Sequence, residues 1–284
     1  MKKMKLIIAG TFAAIVLLCF SANSQTVIYS VKESLKLCYL SVIPSLLPFF
    51  ILCNFILKII KVTCKRPSVT AYFTSLISGF PTGVKNVCAL YESGVITRKD
   101  AERLLYCTAN ASPAYIVSFI GGCIIKDRRA GIILLISQFI TSFICALIFG
   151  VFKKRTVRKA SVINLTESAC FAVTESVSAI LNVCGYIIFF AVIADMVRQV
   201  ISTKAEAVII GFIEITRGLS LIGFESRYSI FSVSAIVAFS GISVIMQCVN
   251  CTVKAGLSSR TVVKGKLIYT VLMPPITYLL YNYL

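Results

Sequence analysis

The sequence predicts an all-α polytopic membrane protein made of two repeats, inverted relative to each other, each with a broken re-entrant helical hairpin. Three observations carry this reading. The chain of 284 residues is 58% hydrophobic, with a mean hydropathy of +0.91, whereas ordinary soluble domains are about 45–50% apolar. Its basic residues fall in short clusters between apolar runs, as loop charges beside membrane helices do. Two apolar stretches are interrupted by polar breaks, Ser78-Gly79-Phe80-Pro81-Thr82-Gly83-Val84-Lys85-Asn86 and Gly211-Phe212-Ile213-Glu214-Ile215-Thr216-Arg217-Gly218. Non-helical backbone cannot face lipid, because its N–H and C=O groups would go unpaired. In transporters, broken helices of this kind form the substrate site.

Composition narrows the function class. Net charge is +18, but a nucleic-acid binder would more often gather its basic residues on one soluble face. The lipid bilayer, and not nucleic acid, is therefore the expected partner. The 12 cysteines are scattered singly within or beside apolar runs and read as small apolar packing residues. Cys248 and Cys251 form one C-x-x-C, with no second pair and no histidine in the chain to complete a metal site. No cofactor or metal is expected. The absence of histidine also removes the commonest general base, and no nucleophile–base pair stands at a believable spacing. The chain does not read as an enzyme.

Taken in order, residues 1–5 are basic and 6–20 apolar. They read as an uncleaved first helix or, alternatively, as a signal peptide cleaved within 21–24. Residues 24–36 are mixed and suit the interface. Residues 38–60 form a span that Pro44 and Pro48 kink, or that starts near Pro44. Residues 71–94 are a re-entrant hairpin broken at 79–83. Thr97-Arg98-Lys99-Asp100 reads as a capping box that opens an amphipathic helix ending near Cys107. Asn110-Ala111-Ser112-Pro113 is a further break. The apolar run resumes over 114–125, and 131–152 is the next span, followed by Lys153, Lys154, Arg155, Arg158 and Lys159.

The order then recurs. Residues 161–176 are mildly polar and suit the interface, and 177–197 form a span. Thr203-Lys204-Ala205-Glu206 is a second candidate capping box, and 207–223 is a run interrupted at 214–218. Residues 229–248 are apolar with a soft centre at Ser240-Gly241-Ile242-Ser243. The last span, 267–284, carries Tyr278, Tyr281 and Tyr283, which suit an interface. This divides the chain into an N-terminal helix and interfacial segment (1–38), a first repeat (39–152), a basic linker (153–176) and a second repeat (177–284). Basic clusters at 2–5, 58–66, 153–159 and 254–266 are expected to be cytoplasmic. That arrangement inverts the second repeat relative to the first. Lys126, Arg128 and Arg129 run against it.

The candidate solute-binding residues follow from the breaks. Gly79, Pro81 and Gly83 shape the first turn, and Thr82, Lys85 and Asn86 follow it. Asn110 and Ser112 occupy the next break. Glu214, Thr216 and Arg217 form the second hairpin's break, with Ser240 and Gln247 beyond. A charge near the bilayer centre costs at least ~2.5–3.5 kcal/mol on insertion scales, so such residues face the interior and have partners. The functional reading is a midplane site where Lys85 and Arg217 meet a small anion and half-helix N-termini add positive dipole ends. Glu214 is then the candidate carrier of a coupled proton. The structural alternative pairs Glu214 with Arg217 one turn away and lets Lys85 snorkel to the headgroups.

Several segments resemble the family of the sporulation integral membrane protein YlbJ, also called stage V sporulation protein V. They are Ser41-Val42-Ile43-Pro44-Ser45-Leu46-Leu47-Pro48-Phe49-Phe50, residues 78–85 followed by Asp100-Ala101-Glu102-Arg103-Leu104, Asn110-Ala111-Ser112-Pro113, Glu214-Ile215-Thr216-Arg217-Gly218 and Phe239-Ser240-Gly241-Ile242-Ser243-Val244. The resemblance covers most of residues 39–250. It implies a nucleoside-recognition (gate) domain fold and a role in endospore formation. It further implies that dipicolinate, a small dicarboxylate, moves across the outer forespore membrane. The alternative is a structural or assembly subunit of a sporulation membrane complex. Oligomeric state stays open, with a second copy or other sporulation membrane proteins as the partners to consider.

Overall fold

The computed structural model describes residues 2–63, 66–152, 165–201, 203, 205–223 and 227–283. The basic cluster at 153–159 and Lys204 of the second candidate capping box lie outside them. Every regular element among the described residues is a helix. Four stretches are long and apolar enough to cross a membrane: Ser24–Ile56, Arg128–Ile148, Cys170–Val200 and Ser229–Lys254. The protein is an all-α polytopic membrane protein.

α1 (Lys2–Ala22) leads into α2 (Ser24–Leu37), which passes through a π-helical turn at Cys38–Val42 into α3 (Ile43–Thr63). The wide turn falls just before Pro44. That residue has no N–H to donate and its ring crowds the preceding turn, so the helix absorbs an extra residue there. Pro48 continues inside α3. The expected interfacial segment at 24–36 is therefore part of a continuous helix. Its polar side chains serve helix contact: Ser30 and Ser34 are buried, and Ser30 Oγ donates to Asp195 Oδ2 at 2.6 Å.

α4 (Pro67–Ser78) and α5 (Thr82–Glu92) make the first broken hairpin. Proline suits the first position of α4, where a missing N–H costs nothing. The turn needs Gly79, which has φ +70° and where a Cβ would lie 2.6 Å from the Ser112 backbone nitrogen. The following Phe80–Pro81 peptide is cis. α6 (Arg98–Leu105) starts as the capping motif predicts, with the Thr97 hydroxyl accepting from the Asp100 N–H at 3.3 Å. After the irregular stretch through Pro113, Ala114–Ile125 winds as a π-helix and α7 (Arg128–Ile148) follows, capped by Asp127.

α8 (Leu165–Val200) is a single helix of 36 residues, so the described part of the expected interfacial segment at 161–176 belongs to this helix. α9 (Glu206–Ile213) and α10 (Ile215–Ser220) form the second broken hairpin, and the break narrows to Glu214 alone. The second capping box does not form as expected. Ala205 occupies the cap position and the Glu206 carboxylate pairs with Arg198 at 2.8 Å. α11 (Arg227–Phe239) and α12 (Gly241–Lys254) are one apolar run interrupted at Ser240, and α13 (Ser259–Tyr283) ends the described chain. α2 and α3 pack on α8, α7 packs on the π-helix and α13, and α11 packs on α13.

The breaks are braced against one another. Phe80 N–H donates to Asn110 O at 2.6 Å, joining the first hairpin tip to the break that follows it. Gln138 of α7 satisfies both backbone groups of Ala111, accepting from its N–H and donating to its C=O, each at 2.9 Å. In the second half, the Ser240–Gly241 break lies against the Glu214 tip. A Cβ on Gly241 would sit 3.2 Å from both Ile213 O and Ile215 N.

Leaving a buried backbone donor or acceptor without its partner costs ~1–3 kcal/mol per group. Gln138→Leu is expected to destabilise the protein by about 2–4 kcal/mol, since it strips two such groups at Ala111. Asn282→Ala, at an exposed i,i+4 contact on the last turn, is expected to fall within ~0.5 kcal/mol of wild type. Thermal unfolding of both variants in detergent checks the difference.

Candidate functional site

Both tips converge on one enclosed cavity of ≈ 30 Å³. Phe80 and Ser112 line it from the first half, and Glu214, Thr216, Ser243 and Gln247 from the second. Val183 and Ile187 of α8 form one wall, and Val42 and Leu46 another. The halves touch here through Tyr115 Oη and Thr216 Oγ1, 3.3 Å apart. One probe sphere of ~10–15 Å³ is enough for a water, so this space holds one or two.

The lining is polar and incompletely partnered. Glu214 caps α10, its Oε2 accepting from Arg217 N–H at 2.8 Å. Its Oε1 is buried without a protein partner, as are Ser243 Oγ and Gln247 Oε1. Behind the first tip, Ser78 Oγ, Thr82 Oγ1, Asn86 Nδ2, Thr108 Oγ1 and Asn110 Oδ1 are in the same condition. Buried polar side-chain atoms in folded proteins nearly always have a partner, so this cluster of exceptions makes the cavity the candidate site.

Of the residues expected from sequence, Ser112, Glu214, Thr216 and Gln247 line the cavity. Gly79, Pro81, Thr82, Gly83, Asn86 and Asn110 build the tip and break beside it. Gly83 is needed there because a Cβ would lie 2.5 Å from Thr108 O. Ser240 is the N-cap residue of α12, held in a left-handed backbone with φ 68°.

Neither expected cation lines the cavity. Arg217 Nη2 reaches Asp195 Oδ2 of α8 at 3.3 Å, and bonds Ser30 O at 3.3 Å and Ser34 Oγ at 3.4 Å. Glu214 therefore meets Arg217 through the backbone, and the guanidinium is engaged elsewhere. Lys85 pairs with Glu175 of α8 instead of snorkelling alone. That pair lines a second, more open space of ≈ 350 Å³ together with Glu92, Asn182, Asn250 and Lys254. Gln247 borders both spaces. Along α8, at 1.5 Å per residue, Glu175 and Asp195 each lie ~12 Å from the nearer of the two wall residues, Val183 and Ile187, on opposite sides of them.

Sequence reasoning missed Glu175 and Asp195. The signal was available, because an acidic residue inside a span is by default a paired or functional group. It also missed Gln138. Lys266 was counted among the cytoplasmic loop charges at 254–266, but it is 3% exposed. Its Nζ donates to Ser240 Oγ at 2.7 Å and lies 5.7 Å from the ring centres of both Phe80 and Tyr269.

The chain is similar to the sporulation integral membrane protein YlbJ of Bacillus subtilis (strain 168), with 24% identity over an alignment covering 94% of this chain and 79% of that protein. No protein-family profile matches the chain. No solved structure matches it.

The Arg217–Asp195 contact is expected to be structural. Arg217→Ala and Asp195→Asn should each lower thermal stability. In the double variant their effects should fall short of the sum by ~1 kcal/mol or more, because contacting residues couple on that scale. A double-mutant cycle by thermal unfolding measures this, and additive effects would show that the pair contributes nothing of its own.

Proposed function

We propose that the protein is a sporulation-associated membrane transporter or permeation gate for a small anionic solute, by resemblance dipicolinate, in the outer forespore membrane. The observation that carries transport is the enclosed cavity between the two hairpin tips, with the unpartnered oxygens of Glu214, Ser243 and Gln247. The name of the similar protein supplies sporulation, and the resemblance supplies the solute. Such a site is the counterpart of the midplane site of transporters with discontinuous helices.

Small-solute pockets are typically ~300–1,000 Å³, so a cavity of ≈ 30 Å³ corresponds to a closed state. A solute enters when a tip separates from the break it rests on. The two ion pairs give the gate its two ends. Lys85–Glu175 ties the first hairpin to α8, and Arg217–Asp195 ties the second hairpin to α8. Gln247 stands between the closed cavity and the open space beside Lys85. In this scheme the tips move as two gate-type repeats, inverted relative to each other. Glu214 is the group that carries a proton if transport is coupled, because it lines the cavity and its buried Oε1 has no protein partner.

Uptake of radiolabelled dipicolinate into proteoliposomes tests the reading. Wild type is expected to exceed empty liposomes. Gln247→Leu should reduce uptake by about tenfold, the loss of one good polar contact to solute. Glu214→Gln should abolish uptake against a gradient and leave exchange intact. A folded wild type that moves no dipicolinate would favour the assembly-subunit alternative, and unchanged gradient-driven uptake by Glu214→Gln would end its proton role.

A further inference from the structure

We propose that Lys266 is the residue that recognises a carboxylate group on the transported solute. The inference rests on the transport reading above and assigns its site a cation that neither Lys85 nor Arg217 provides. Both of those residues are paired with carboxylates of α8. Lys266 is more deeply buried than either, and among the described residues no carboxylate pairs with it. Its one polar contact is the hydroxyl of Ser240, at 2.7 Å. The rest of its surroundings include the faces of Phe80 and Tyr269. Cation–ring contacts are worth ~0.5–2 kcal/mol, whereas a buried ammonium without a counter-ion loses several kcal/mol of solvation. The protein therefore keeps at a cost a charge that its own side chains do not balance, and an anion from outside would balance it.

The placement is specific. α13 carries Lys266 to the junction because Gly265 lets the helix approach the chain at Tyr106, where a Cβ would lie 2.6 Å from Tyr106 O. The ammonium thereby lies between Phe80 of the first hairpin tip and the Ser240 break of the second half. Phe80, one of its two ring neighbours, lines the cavity. Ser240, its hydrogen-bond partner, caps the helix whose Ser243 and Gln247 also line it. The Phe80 ring thus touches both the surroundings of Nζ and the cavity, and a movement of Phe80 as the first tip opens would bring the two together. Ser240 holds a left-handed backbone without being glycine, and strain of this kind is retained where surrounding structure enforces it, often at functional sites.

Glu214 lines the cavity, and its Oε1, which has no protein partner, can accept a hydrogen bond. A solute that satisfies both groups has a carboxylate for Lys266 and a hydrogen-bond donor, such as a protonated carboxyl, for Glu214. This chemistry selects an acid over its neutral amide.

Equilibrium binding of radiolabelled pyridine-2,6-dicarboxylate to the full chain in nanodiscs tests the assignment, with the corresponding diamide as competitor. Wild type is expected to bind the diacid and to prefer it to the diamide by about tenfold or more. Lys266→Met and Lys266→Gln should each weaken diacid binding by about tenfold or more, while Lys266→Arg retains most of it. The melting temperature of Lys266→Met should equal or exceed that of wild type, because the variant removes a buried charge that lacks a counter-ion. A purely structural lysine would instead lower the melting temperature. Unchanged affinity in folded Lys266→Gln or Lys266→Met overturns the assignment and leaves the transport reading standing. A wild type that binds the diamide as well as the diacid does the same. A wild type that neither binds nor moves any solute removes both.

Discussion

Everything in this structure answers to one constraint: wherever the buried chain stops being helical, the freed backbone groups must find partners within the protein. The breaks at Gly79–Pro81, Asn110–Pro113, Glu214 and Ser240 each leave such groups, and each is closed by a different device. Phe80 N–H is taken by Asn110 O, and both polar groups of Ala111 by Gln138. Glu214 uses its own carboxylate to cap α10. The Ser240 hydroxyl donates to Val237 O and accepts from Lys266. In water these segments would be ordinary loops, whereas in hydrocarbon each is a reason for two elements to be in contact.

The same economy produces the site. Pairing the breaks with each other brings both tips to the centre of the molecule, and the polar side chains that accompany the breaks come with them. Most are consumed in bracing. Among those left without a protein partner are Glu214 Oε1, Ser243 Oγ and Gln247 Oε1, whose residues line one small cavity. Leaving them unpartnered is costly for a protein that only needs to stand still, and useful for one that must hold a polar solute briefly and release it. The formal charges divide in the same way. Asp195 and Glu175 neutralise Arg217 and Lys85 and fasten the hairpins to α8, while Lys266 is left with a hydroxyl and two aromatic rings.

Much of this was legible in the amino-acid order. Apolar runs of spanning length, the glycine and proline at the first break, the Thr97 capping motif and the polar centre at Ser240 all depend on local chemistry, and the helices begin and end close to where that chemistry places them. Ser112, Glu214, Thr216 and Gln247, which line the cavity, stand out in the sequence because polar residues in apolar runs are expensive wherever they point. The serines of α2 look like a water-facing stripe, yet they serve Asp195 and Arg217 on neighbouring helices.

The sequence by itself determined that the chain is helical, that it spans a membrane several times, and where its helices are broken, because those properties follow from hydropathy and from backbone chemistry within a few residues. Only the tertiary structure decided which charges are spent. Arg217 and Asp195 are 22 residues apart in the chain, and Lys85 and Glu175 are separated by 90. Whether a basic residue meets a solute or an acid of its own protein depends on which helix lies opposite. Lys266 shows the point most plainly: at the end of a run of loop charges it looks topogenic, and packing of α13 through Gly265 buries it beside the cavity.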